Sequence, residues 1–152
     1  MARKHVTWIV VADGAHARIY ANDGPGKGLR PALERDYEAK LPEKVRDILS
    51  DKRGRQTAAP HTARHAMDPR TDPRRHIEQE FARTIAEMLG ETAQAKFYDR
   101  LILVAPPKTL GNLRAELPKH AAALVTGTLD KDLVPMDDAA IEKHLIKDGM
   151  LL

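Results

Sequence analysis

Seven basic side chains fall within one 25-residue tract, Lys52 to His76: Lys52, Arg53, Arg55, Arg64, Arg70, Arg74 and Arg75. Only Asp68 and Asp72 oppose them there, so the tract has five positive charges in excess. The whole chain has 25 basic and 22 acidic residues, which leaves 18 basic and 20 acidic outside the tract. All of the positive excess therefore sits in one place. Segregated charge of this kind suits an anionic partner such as RNA or phosphate, although a solvated loop with no partner is equally permissible. The tract has no Phe, Tyr or Trp to stack on bases, so contact with phosphates is expected rather than reading of bases.

Arg74 and Arg75 lie in the expected first turn of a helix, where the helix dipole disfavours cations by about 0.3–1 kcal/mol at an exposed site. An anion bridging the two arginines and the helix N-terminus would offset that cost. A second candidate is APPKTLGNLR (105–114), where Lys108, Thr109, Asn112 and Arg114 follow a strand. Lys108 with free helix amides could hold a phosphate; in the plainer reading the prolines stop the strand, Thr109 caps a helix and Lys108 is solvated.

Carboxylates offer different chemistry. Asp13 ends the first expected strand, and Asp130 and Asp132 follow the last, so Asp13 and Asp132 could gather around Mg²⁺ for phosphodiester hydrolysis. Acidic residues at strand ends are also ordinary turn formers. His61 and His65 have helical i, i+4 spacing with His76 near, but no HExxH carboxylate accompanies them. Zinc binding thus competes with three solvated loop histidines. No cofactor is expected. The absence of cysteine excludes disulfides and thiolate catalysis, which fits a reducing compartment.

These side chains need a scaffold, and hydrophobic periodicity supplies its outline. TWIVVA (7–12) reads as a strand buried on both faces. After Asp13-Gly14, ARIYAND (17–23) alternates Ala17, Ile19 and Ala21 against Arg18, Tyr20 and Asn22, a half-buried antiparallel partner. Leu33 to Tyr37 reads as an edge strand, and Glu43 to Leu49 as a short helix. Asp72-Pro73 reads as an N-cap with proline at the first helical position. Ile77, Phe81, Ile85, Met88 and Leu89 then form the apolar stripe of a helix over about 73–95. RLILVA (100–105) is a central strand, Thr109 to Leu117 a short helix, Ala123 to Leu129 the last strand, and Asp137 caps a final helix through Ile141 and Leu145.

The expected fold is α/β (α+β), a mixed sheet in the order β-β-β-α-β-α-β-α, as in ribonuclease H-like folds. At 152 residues the chain fits a single domain, 1–152, with a basic flexible loop at 52–72. The apolar run Trp8 to Ala12 is too short for a signal peptide, and no stretch reaches the roughly 20 residues of a membrane span. A soluble cytoplasmic protein is expected.

WIVVADGAHARIYAND (8–23), RHAMDPRTDPRRHIEQEFA (64–82), YDRLILVAPPKTLGNLRAEL (98–117), LDKDLV (129–134) and IEKHL (141–145) resemble the bacterial host attachment proteins, required for attachment to host cells. That family is in turn similar to the release-factor-like superfamily, built like the catalytic middle domain of eukaryotic and archaeal peptide-chain release factors. In release factors a basic loop with a Gly-Gly-Gln tip promotes peptidyl-tRNA hydrolysis on the ribosome. The resemblance sets KRGRQ (52–56) in that region, with Gly54 and Gln56 matching the motif and Arg55 standing where its middle glycine belongs. It implies an RNA- or ribosome-associated factor and makes Gln56 the catalytic candidate. A hydrolase, or a surface protein with the literal attachment role, are the alternatives.

Overall fold

The run TWIVVA becomes β1 (Thr7–Ala12), buried from Trp8 onward, as an unbroken apolar run favours when both faces of a strand are covered. The computed structural model describes residues 5–34, 36–39 and 72–151. Asp13 turns the chain into β2 (His16–Asn22), antiparallel to β1, with Thr7 opposite Asn22 and Ala12 opposite Ala17. Two short strands, β3 (Arg30–Pro31) and β4 (Tyr37–Glu38), pair with the outer side of β2. There follow α1 (Pro73–Gln94), β5 (Arg100–Val104), α2 (Pro107–Glu116), the single turn α3 (Lys119–Ala122), β6 (Val125–Leu129) and α4 (Asp138–Lys147).

β5 runs parallel to β1, and β6 parallel to β5, so the strand order is β3-β2-β1-β5-β6 with β4 also on β2. This is the expected mixed α/β sheet. Alternate side chains of β1 serve opposite faces. Trp8, Val10 and Ala12 meet Phe81, Ile85 and Leu89 of α1 and Leu110 and Leu113 of α2. Ile9 and Val11 meet Ile141 and Leu145 of α4, together with Leu133 and Leu151. Three layers result, and the carboxyl ends of β1, β5 and β6 share one edge. Trp8 stacks on Tyr98 with ring centroids 4.9 Å apart. The Tyr98 hydroxyl donates to the Leu89 carbonyl at 2.5 Å, tying the end of α1 to the entry of β5.

Four expectations change. The third strand is not Leu33 to Tyr37 but the two pieces β3 and β4, lying on either side of that stretch. Pro31 has no N–H to extend a ladder, and two-residue pieces suit a sheet edge. β2 is not half-buried: Tyr20 is 4% and Asn22 7% exposed, because Tyr20 packs with Ile141 and Leu145 of α4 and the Asn22 side chain is bonded to Gly24 and Gly28 of the turn that follows β2. The helix expected from Thr109 starts at Pro107, with Pro106 as N-cap and no side-chain cap bond; Thr109 is buried inside its first turn. β6 starts at Val125 because α3 occupies 119–122. The α1 start matches the expectation, with Asp72 Oδ1 accepting from the Arg74 amide at 3.0 Å and Pro73 following the cap. Asp137 caps α4 as expected, accepting from the Ala140 amide at 2.8 Å. The short helix expected at 43–49 and the basic loop at 52–71 lie outside the described residues.

Candidate functional site

At the carboxyl edge of the parallel strands, the turn after β1 is built on Asp13. Its Oδ1 accepts from the Ala15 amide at 2.9 Å and the His16 amide at 2.7 Å, and lies 3.3 Å from His16 Nδ1. A short polar side chain bonding the amides two and three residues on is what fixes such a turn. Gly14 lets α1 approach: a Cβ there would lie 2.8 Å from Glu78 Cγ. The Glu78 carboxylate reaches Lys108 Nζ at 3.2 Å. One side chain of α1 thus touches the β1–β2 turn and α2 together. Asp13, Gly14, Ala15, His16, Arg74, Ile77 and Glu78 enclose an open cleft of about 350 Å³.

Arg74 and Arg75 are exposed in the first turn of α1, which contains no acidic residue. Neither enters an ion pair among the described residues. Arg74 lines the cleft and Arg75 does not. Lys108 shares this edge but is engaged by Glu78, so a phosphate there would have to share it or displace the carboxylate. With Asp13 and Glu78 beside Arg74 and Lys108, the described edge is nearly balanced in charge. The positive excess comes from Arg75 and from the tract residues Lys52, Arg53, Arg55, Arg64 and Arg70, which lie outside the described residues, as do Gln56, His61 and His65.

Of the other candidate carboxylates, Asp132 braces a turn and Asp130 has no bond of that kind among the described residues. Asp132 Oδ1 accepts from the Val134 amide at 3.3 Å, and Asp130 is exposed after β6. Among the described residues, no group of three or more His, Asp or Glu side chains is placed to hold a metal ion. Arg114 donates to the Thr128 hydroxyl at 2.9 Å, tying α2 to β6. His76 is exposed on α1.

Sequence reasoning missed two arrangements. His16 stands beside Asp13 at the cleft, and the local pattern Asp-Gly-Ala-His held that signal as an Asp turn. On the opposite face, Arg18 and Tyr20 of β2 point the same way and meet Asp138. Tyr20 donates to Asp138 Oδ1 at 2.6 Å. Arg18 donates to the Tyr20 hydroxyl at 3.2 Å, to the Met136 carbonyl at 2.9 Å and to the Val134 carbonyl. Burial, then the bond to Asp138, pushes the Tyr20 phenol up to about 12 against the pull of Arg18. Burial likewise pushes Tyr98 up to about 12. The first cluster pins the loop after β6, and so bears on the shape of the sheet edge.

The family described as "Protein required for attachment to host cells" matches residues 8–145. The chain belongs to this family. Its match runs from β1 through the buried Leu145 of α4, and so takes in both core faces and the cleft. As a host attachment family member the chain is similar to the uncharacterized protein RP470 of Rickettsia prowazekii (strain Madrid E), at 28% identity over 141 residues and 89% of each chain. Among solved structures, it is similar to an archaeal translation termination factor with TM-score 0.43 and 8% identity. That comparison covers 95% of this chain, which spans 39% of the termination factor. Among the described residues, no helix is long and apolar enough to cross a membrane.

Proposed function

We propose that this host attachment family protein is a cytoplasmic RNA-associated factor, acting on transfer or ribosomal RNA through phosphate contacts made by its basic tract. The observation that carries the reading is the charge segregation: seven basic residues against two acidic in the tract, in a chain otherwise slightly acidic. Arg74 and Arg75, exposed and without an ion pair among the described residues in an α1 first turn without acids, extend that charge onto the folded domain. The binding surface is therefore the tract together with the α1 entry, with Lys108 at its margin. A role in attachment to host cells then follows indirectly, through expression of other proteins.

The test is co-sedimentation with ribosomes and titration of tRNA, comparing the intact chain with a deletion of residues 54–70 that leaves the Asp72-Pro73 cap in place. If six or so phosphates are engaged, the log-log salt slope is roughly −4 to −5 for single strands. The deletion should flatten that slope and weaken binding. Equal binding by both proteins, or none by either, overturns the reading. Cell fractionation separates it from direct surface attachment, for which the family's description speaks: protein found outside the cell envelope would favour the latter.

A further inference from the structure

The far end of the sheet holds a second cleft, of about 430 Å³, opened between the amino ends of β1, β5 and β6. Its size is within the range of small-molecule sites. Ile102 and Leu151, both buried, and Met150 give it an apolar floor. Thr7, Thr126, Arg100 and His5 supply polar groups at its rim.

Three features show how the fold builds this cleft. First, the β5–β6 ladder slips between Leu101 and Ile102, which pair with Val125 and Gly127, so Thr126 is left out of the register. Such irregularities re-aim side chains and recur beside binding sites. Second, Gly127 has no side chain, and a Cβ there would lie 2.9 Å from Met150 Sδ; the C-terminal segment can therefore close against β6 and form the floor. Third, the wall at residues 22–28 is braced. Asn22 is buried, its amide donates to the Gly28 carbonyl at 2.8 Å, and its side-chain oxygen accepts from the Gly24 amide at 3.1 Å. Glu142 of α4 accepts from the Leu29 amide at 2.9 Å, fixing the wall's far end.

The electrostatics give the ligand's sign. Arg100 is exposed and enters no ion pair among the described residues, while Asp23, the carboxylate among the described lining residues, is engaged by Arg30 at 2.6 Å. A guanidinium and two hydroxyls above an apolar floor match a ligand with an anionic head and a short apolar body. We infer that this cleft binds a small amphipathic monoanion of the carboxylate class, its head on Arg100 and Thr126 and its body on Ile102 and Leu151. The site is separate from the basic edge and does not depend on an RNA partner.

The experiment is an amide chemical-shift titration of the full chain with hexanoate, with hexanol and inorganic phosphate as probes of the apolar body and the charge alone. Hexanoate should give saturable shifts at Thr7, Arg100 and Thr126 with Kd on the order of 1 mM, and each control should bind about tenfold more weakly for want of one half of the interaction. Arg100→Gln should weaken hexanoate about tenfold and leave hexanol unchanged, the latter readout reporting that the cleft is still formed. Thr126→Trp, which fills the cleft, should abolish both. Absence of saturable shifts with hexanoate, or equal hexanoate affinity in wild type and Arg100→Gln, overturns the inference.

Discussion

Gly14 has no side chain, and the space a Cβ would occupy is taken by Glu78, whose Cγ and Cδ would lie 2.8 and 2.9 Å away. Gly14→Ala must therefore push Glu78 aside and disturb its contact with Lys108. The obstructing atoms belong to a flexible side chain at an open cleft, so the cost is mainly that of the displaced Glu78–Lys108 contact, up to about 1 kcal/mol, and removing the obstacle should relieve it. In urea unfolding, Gly14→Ala should be mildly destabilising alone and close to neutral in a Glu78→Ala background, a non-additive pair of the sort contacting residues show. Additive losses would mean that the turn and α1 do not meet here. At Tyr20 the sign of a pH effect can be worked out. The phenol is pushed up to about 12 in the folded chain from 10.0, so between those values the unfolded chain has lost the proton that the folded chain keeps. Stability from Tyr20 is then complete below pH 10 and is lost as pH rises toward 12. Tyr20→Phe should destabilise at pH 7, and its deficit should shrink through that window, as read from urea midpoints of the two proteins at each pH.

The elements differ in how much of themselves the sequence displays. α1 was readable almost to the residue, because a proline-marked cap and a five-residue apolar stripe act locally and need no knowledge of the partner. β1 and β5 were readable for the same reason, as apolar runs too short for helices. The failures came where the partner decides. Alternation along β2 assigned Tyr20 and Asn22 to solvent, yet α4, more than 100 residues later in the chain, covers Tyr20, and the turn after β2 binds the Asn22 side chain. The edge pieces β3 and β4 are too short to leave a periodic trace. Glu78 as the link between the β1–β2 turn and α2 was invisible, since nothing local marks which exposed-looking acid of a helix will face a glycine. Among the described residues α4 is the helix that closes the second face, so its anchor matters: Leu145 is 0% exposed in that cluster. Leu145→Ala should cost about 2–5 kcal/mol, measured by chemical denaturation, whereas Ala at the half-exposed Ile146 should fall within about 0.5 kcal/mol of wild type.

For the whole molecule, the informative quantity is where charge lies relative to the folded body. Charge segregation was legible from composition alone, whereas the near balance of the described edge, with Lys108 held by Glu78, needed side-chain geometry. That balance puts the proposed RNA contacts on the tract and on the two arginines at its exit, and it gives Arg75 opposite meanings for stability and for binding. Two cations in the first turn of α1 oppose the helix dipole, but Arg74 also lies beside Asp13 and Glu78 in the cleft, so only Arg75 should stabilise the fold when replaced by an acid. Arg75→Glu should gain about 0.3–1 kcal/mol, less at high salt where exposed charges are screened, and Arg74→Gln is paired with it to remove the second charge without adding a third acid to the cleft. If those residues contact phosphates, the same double variant should bind tRNA more weakly, with a salt slope shallower by about 1–2. Higher stability together with weaker binding cannot come from damage to the fold. Higher stability with unchanged binding would confine the contact to residues before Asp72, and lower stability would mean that Asp13 and Glu78, beside Arg74 in the cleft, outweigh the helix dipole there.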